Sequence, residues 1–360
     1  MRQKARKIKP LKLVLQLLRI LPQKRTRDII IKRFGLSEAK KKTLEEIGHI
    51  YGITRERVRQ IEEAALSELK NSKKIALLLP FERAVENLLE RHGGIMEANN
   101  LMNFFSQEMD LQEQVQQNAF EFGLKLSDKF VEYKENESLK KAWGKRDMTL
   151  RIPKKVIDII FNILEKTKKP FSEDQVLDVI SQHNSFKKLP TALQNRQAIL
   201  SYLSLSKRIL KNPYNEWGIS SWTEIIPKGV KDKAYIVLKK AGKPLHFQKI
   251  TDFINEIKFS EKKANVQTVH NELIKDPRFV LVGRGIYALS EWGYKLGTVT
   301  DVIAAVLKEA NSPLSRDEIV NKVLKQRIVK KNTIILALQA RNRFQRVSEK
   351  VYKLIDETKD

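Results

Sequence analysis

One phrase recurs three times in this 360-residue chain and limits its folding more than any other feature. In Leu164–Phe171, Leu238–Leu245 and Leu307–Leu314, a proline (Pro170, Pro244, Pro313) stands six residues after the leucine. A polar residue then opens an amphipathic run: Ser172 to Ile180, His246 to Ile254, Ser315 to Val323. Spacings of 74 and 69 residues between the prolines mark copies of one supersecondary unit. A fainter fourth copy begins at Ala84–Leu89 and carries Gly93-Gly94-Ile95-Met96 where the others have proline.

Each copy reads as a helix, a short extended link, a second helix, a third helix and an extended tail rich in aromatics and glycine. That order predicts a winged helix. In the third copy the tail alternates on both sides of Gly283-Arg284-Gly285, a hairpin signal that puts Arg284 at the wing tip. The helix before it sets Val266, Val269, Leu273 and Ile274 on one stripe, expected to pack on a core, and leaves Gln267, Thr268, His270 and Asn271 as a polar face. The other tails run from Phe130 to Gly144, Asn215 to Ile219 and Phe344 to Leu354, with aromatics that close small cores.

Charge narrows the function. Sixty-nine Lys and Arg against 43 Asp and Glu give a net +26, a surface that attracts polyanions. Nucleic acid is favoured over an anionic membrane surface, and both over a metabolic substrate. Residues 1–74 hold 21 basic against 8 acidic residues, whereas residues 81–147 hold 9 against 13. The latter segment is therefore read as facing protein or acting as a spacer. Residues 148–224 (12 against 7), 225–297 (14 against 7) and 298–360 (13 against 8) are basic again.

The absence of cysteine excludes disulfides, thiol nucleophiles and Cys-based zinc modules. The apolar run Leu13–Leu21 is interrupted by Gln16 and Arg19 and falls short of the roughly 20 residues a membrane helix needs. Arg2, Lys4, Arg6, Lys7 and Lys9 precede it, but no small-residue cleavage site follows, so a signal peptide is not expected. The predicted location is cytoplasmic and nucleoid-associated.

The most specific stretch is Thr43 to Glu62. Thr43 with Glu46 forms a capping box, Gly52 supplies a tight turn and Thr54 caps the next helix, which together spell helix-turn-helix. On that second helix Val58, Ile61, Ala65 and Leu69 share an arc of about 80°. Arg55, Glu56, Arg59 and Gln60 occupy a separate arc of about 140° at its N-terminal end, the end that enters a major groove. Arg can bind guanine bidentately, Gln can read adenine and Glu can accept from cytosine. The alternative is a solvated helix with i,i+4 ion pairs.

From Leu21-Pro22 through Arg33-Phe34-Gly35-Leu36 to Thr43–Gly48 and Thr54–Glu62, the sequence resembles region 4 of bacterial primary sigma factors. That resemblance implies reading of a −35 promoter element and docking on the flap of the RNA polymerase β subunit. It implies that Arg55, Glu56 and Gln60 read base edges while Arg59, Arg57, Thr43 and Leu44 hold or flank the backbone. Lys40, Lys41 and Lys42 form an extra basic run, read either as a phosphate contact or as a solvated loop. About twenty residues precede the match, too few for the domain that melts the −10 element, so a complete sigma factor is not expected. Residues 229–293 resemble the HARE-type winged helix of the polymerase delta subunit, carried by Ala234–Leu238, Gly242–Leu245 and Phe279–Tyr287. Unlike delta, the sequence has no acidic tail.

No two of His49, His92, His183, His246 and His270 lie three or four residues apart, and no glycine-rich phosphate loop occurs, so no metal site, cofactor or catalytic residue is predicted. The expected fold class is mainly α with small β wings (all-α to α+β). The expected modules are a sigma-like helix-turn-helix at 1–74, an acidic winged helix at 78–147, and winged helices at 148–224, 225–297 (HARE-type) and 298–360. The expected function is sequence-specific binding of double-stranded DNA in transcription, with Arg284 adding a phosphate contact and no small-molecule substrate or membrane partner. The alternatives are an adaptor bound to core RNA polymerase, and a nucleoid protein held by charge alone.

Overall fold

The repeated leucine–proline phrase is a helix C-cap. In the computed structural model the N–H groups of Lys168, Gly242 and Asn311 donate to the carbonyls of Leu164, Leu238 and Leu307, and all three capping residues are left-handed. A left-handed residue ends a helix by satisfying a free carbonyl, and the proline two positions on cannot resume it. The fourth copy has no proline; there Gly94 N–H donates to Leu89 O at 2.7 Å.

The structure describes residues 8–257, 259, 262–340 and 342–355. Arg2, Lys4, Arg6 and Lys7, named above, lie outside the described residues. The described residues form two units, one reaching to Lys211 with Glu216–Ser220, the other comprising Asn212–Asn215 and the chain from Ser221 on.

The first unit opens with α1 (Pro10–Leu18), α2 (Lys24–Phe34), α3 (Leu44–Tyr51) and α4 (Arg55–Asn71). A winged helix follows: α5 (Leu79–Arg91), β1 (Ile95–Glu97), α6 (Ala98–Met109), α7 (Gln114–Leu126), β2 (Phe130–Tyr133) and β3 (Ala142–Lys145). The next contains α8 (Arg151–Thr167), β4 (Phe171–Ser172), α9 (Glu173–Gln182), the one-turn α10 (Asn184–Lys187), α11 (Arg196–Leu205), β5 (Ile209–Lys211) and β6 (Glu216–Ile219). In the second unit lie α12 (Val230–Ala241), β7 (Leu245–His246), α13 (Phe247–Ile257), α14 (Val266–Lys275), β8 (Phe279–Gly283) and β9 (Ile286–Leu289). It ends with α15 (Val299–Ala310), β10 (Leu314–Ser315), α16 (Arg316–Leu324), α17 (Lys331–Ala337), β11 (Phe344–Ser348) and β12 (Val351–Leu354).

The protein is thus mainly α with small antiparallel wings, a helix-turn-helix followed by tandem winged helices. All four sheets among the described residues share one strand order, with the last strand central: β1-β3-β2, β4-β6-β5, β7-β9-β8 and β10-β12-β11. The link at each repeat therefore becomes an edge strand. Two expectations need correction. Val269 and Leu273 are buried, but Val266 and Ile274 of the same stripe are exposed (39% and 64%), because only the centre of α14 faces its core. The second copy's tail also begins earlier than Asn215, at β5, whose Ile209 pairs with Ile219.

Within the first unit the modules are not separated by linkers. Phe122, Ala119 and Leu126 of α7 join Val14, Leu17, Leu18, Phe34 and Leu69 in one core, with the Phe34 and Phe122 rings 4.4 Å apart. Asn118 Nδ2 donates to Gly35 O (2.9 Å) and Ala39 O (2.7 Å). The acidic segment thus packs on the most basic one. The next module docks through α11, whose Ser201 and Tyr202 hydroxyls donate to the carbonyls of Ile95 and Gly93, both at 2.8 Å. The loop between β2 and β3 is held too: Lys140 N–H donates to Leu205 O and Lys207 N–H to Ser138 O.

In the second unit a buried arginine makes the joint. The Arg327 guanidinium donates to the carbonyls of Leu281, Lys295 and Gly297, and Ile328 N–H donates to Val282 O at 2.7 Å along the edge of β8. Burial pushes the Arg327 pKa down, since three carbonyls offset only part of the lost hydration. No helix among the described residues is long and apolar enough to cross a membrane.

Candidate nucleic-acid interface

The geometry of the first helix-turn-helix is set by its caps. The Thr43 hydroxyl accepts from Glu46 N–H (3.1 Å) while Thr43 N–H donates to Glu46 Oε2 (2.6 Å), closing the capping box of α3. The same bonds, from the Thr43 backbone first, hold the Glu46 carboxyl below its ordinary pKa. Gly52 ends α3 at φ +63°, a conformation that costs glycine little. A Cβ on Gly48 would lie 2.7 Å from Ile53 O, so α3 can approach the turn only with glycine there. The Thr54 hydroxyl then accepts from Arg57 N–H and starts α4.

Orientation of α4 follows from its buried stripe. Val58, Ala65 and Leu69 are buried and Ile61 half-buried; Val58 packs with Ile29 and Ile47. Arg33 of α2 reaches Glu62 at 2.9 Å and fastens the flank. The opposite arc is thereby turned to solvent, and Arg55, Glu56, Arg57, Arg59 and Gln60 are all exposed.

These five side chains are not equally available. Arg59 Nε and Nη2 grip the Glu56 carboxylate at 2.9 and 2.6 Å, and Nη1 also bonds Glu63. The grip lowers the Glu56 pKa and raises that of Arg59, in each case through their mutual hydrogen bond first. Arg57 Nη1 donates to Gln60 Oε1 at 3.1 Å. Among the described residues the Arg55 guanidinium has no hydrogen-bond or ion-pair partner, so it is the cation already free to meet an incoming base or phosphate.

The flanking residues differ from one another. The Thr43 hydroxyl is engaged in its cap. Leu44 is half-buried against the Ile29–Ile47–Val58 cluster, so it can flank a backbone but its side chain serves the core. Lys41 pairs with Glu121 of α7 and Lys42 with Glu38 at 3.8 Å, whereas Lys40 is exposed. Arg284 lies in the β8–β9 turn and is exposed; it belongs to the second unit. Sequence reasoning missed Glu63 and Glu121 as partners of these cations. Glu63, four residues after Arg59, was legible from helical spacing; Glu121 was not, because it arrives on α7.

Comparison with known proteins supplies a name for this segment. Residues 17–71 match sigma-70, region 4. Over 59 residues the region 4-like segment is 46% identical to the RNA polymerase sigma factor SigA of Microcystis aeruginosa and to that of Synechocystis, alignments covering 16% of this chain and 14% of each relative. It is 50% identical over 50 residues to the RNA polymerase sigma factor sigB of Arabidopsis thaliana, covering 14% of this chain and 9% of that protein. The chain spans about one-seventh of the length of the SigA proteins it matches. Residues 229–292 match the HARE-HTH family, the helix-turn-helix domain whose description names ASXL and restriction endonuclease, with α13 and α14 as its helix pair and β8–β9 as its wing.

A groove of about 920 Å³ runs beside the region 4-like helix-turn-helix, lined by Leu15, Leu18, Arg25, Ile31 and Tyr51 among others. The Tyr51 hydroxyl donates to Asp28, and burial together with that bond pushes the Tyr51 pKa up to about 12. Arg25 lies over the Tyr51 ring and donates to Tyr51 O at 3.0 Å. Among the described residues no cluster of three His, Asp or Glu side chains could hold a metal ion.

Proposed function

We propose that the protein binds duplex DNA in transcription and reads promoter-like sites of the −35 type through α4. One arrangement carries this reading: Arg55, Glu56, Arg59 and Gln60 are exposed together at the N-terminal end of α4, while Val58, Ala65 and Leu69 fix the opposite face in the core. Arg55, Glu56 and Gln60 read base edges; Arg57 and Arg59 hold phosphates, flanked by Thr43 and Leu44. Lys40, Lys41 and Lys42 add phosphate contacts, Lys41 and Lys42 by releasing their carboxylates. Arg284 is a backbone contact of the HARE-like wing. Backbone neutralisation supplies affinity and its salt dependence, and the α4 face supplies discrimination.

On this reading the modules divide at 1–74, 78–147, 148–224, 225–297 and 298–360, and the protein is non-enzymatic, cytoplasmic and nucleoid-associated. Arg55→Ala or Gln60→Ala is expected to relax base preference at one position by ~1–3 kcal/mol. The check is binding of each variant to a set of singly substituted duplexes. Unchanged preference in both variants would remove the assignment.

A second reading, an adaptor docked on the RNA polymerase β flap, is favoured by the groove lined by Leu15, Leu18 and Ile31. It predicts co-purification with core polymerase that survives both high salt and Arg55→Ala. Dissociation of that complex in high salt would leave the DNA reading alone.

A further inference from the structure

In the two winged helices of the first unit, the surfaces with which a helix-turn-helix usually meets DNA are covered by the protein itself. The third helix of one, α7, packs on α1, and its wing loop is bonded to Leu205 and Lys207. The third helix of the other, α11, is bonded to Gly93 and Ile95. Yet residues 148–224 carry 12 basic against 7 acidic residues. That charge is displayed instead by the first helix, α8.

Val156, Ile157, Ile160 and Leu164 bury one side of α8, which fixes the other side outward. Arg151, Lys154, Lys155 and Lys166 fall there within an arc of about 120°. With His183 and Ser185 they line a groove of about 580 Å³. All four cations are exposed, and none has an ion pair or side-chain hydrogen bond among the described residues. Two carboxylates share this face. Asp158 is paired with Arg208 at 3.3 Å, itself 3.7 Å above the Phe161 ring; Glu165 lies at the far end. From Arg151 to Lys166 the helix runs about 22 Å, matching roughly six base pairs at 3.4 Å each.

We propose that this groove is a second DNA site, in which the first helix of a winged module lies along the phosphate backbone of a duplex without reading sequence. The occupant follows from charge: a line of unpaired cations at regular spacing fits a polyanion of regular spacing. The assignment does not depend on base reading by α4.

The test compares the full-length protein with its Lys154→Gln/Lys155→Gln/Lys166→Gln variant on a 60-base-pair duplex of arbitrary sequence across a salt series. Each lost phosphate contact lowers the slope of log K against log salt by about 0.9, so a fall of about 2 to 3 is expected, equal for promoter-like and shuffled duplexes. Lys155→Gln alone, the variant least able to disturb folding, should lower it by about 1. Arg55→Ala should instead change the preference between duplexes, which separates failure of this site from failure of the α4 reading. Unchanged slopes in both glutamine variants would overturn the proposal. So would unchanged slopes accompanied by lysine-dependent binding of polyglutamate, which would assign the groove to an acidic protein.

Discussion

Helices α4 and α11 occupy the same place in their motifs, each following a turn and capped by a side chain, Thr54 for one and Asn195 for the other. Their surroundings are opposite. Of the ten residues of α11, Ala198, Ile199, Ser201, Tyr202, Leu203 and Leu205 are buried. Of the seventeen in α4, Val58, Ala65 and Leu69 are buried. One apolar stripe leaves a face for a partner, whereas an apolar surface on both sides must be covered. In α11 it is covered by the preceding module, and α7 repeats the solution with seven buried residues. A third helix in this fold is thus either a reading element or a joint, and its residue pattern decides which.

The largest expected effect comes from breaking a joint. Phe122→Ala opens a cavity between α7 and α1 and should cost about 3–5 kcal/mol. Because Phe122 shares a core with Leu17, Phe34 and Leu69, denaturation followed at the region 4-like segment and at α7 should shift together. Separate transitions would mean that the joint is superficial. Tyr202→Phe strips a buried hydroxyl from Gly93 O and should cost about 1–3 kcal/mol while leaving DNA affinity intact; a fall in affinity at full occupancy of the folded state would give α11 a role in binding.

Changes at the reading element should behave in reverse. Thr54→Ala removes the cap of α4 and should cost about 1 kcal/mol of stability, but with a measurable loss of DNA affinity, since the exposed arc begins at that cap. Titration of folding and binding on the same preparation checks this. The smallest effect is a pH dependence. Tyr51 ionises in the fold at about 12, above its unfolded value near 10. Its contribution is therefore complete below pH 10 and lost as pH rises through 12. Urea midpoints of the wild type and Tyr51→Phe should converge over that window, and a constant difference would remove the Tyr51–Asp28 bond as its source.

Much of this was legible from residues alone. Thr43, Gly52 and Thr54 announce the helix-turn-helix because capping is local chemistry, and the Gly283-Arg284-Gly285 turn announces its hairpin for the same reason. The leucine–proline phrase exposed the repeat, although its meaning as a left-handed cap at Lys168, Gly242 and Asn311 needed coordinates. The docking of α7 and α11 escaped notice because periodicity shows that a face is apolar and not what covers it. Val266 and Ile274 misled for a related reason: stripe membership fixes direction, while burial depends on how far the neighbouring helices extend. Strand β5, at Ile209–Lys211, is too short to show alternation.

The central claim is that α4 reads sequence. Fluorescence anisotropy of the full-length protein with a duplex carrying a consensus −35 element, against a shuffled duplex of equal composition across a salt series, tests it most directly. A preference of about a hundredfold or more at each salt concentration is predicted, and equal affinities for the two duplexes would contradict it.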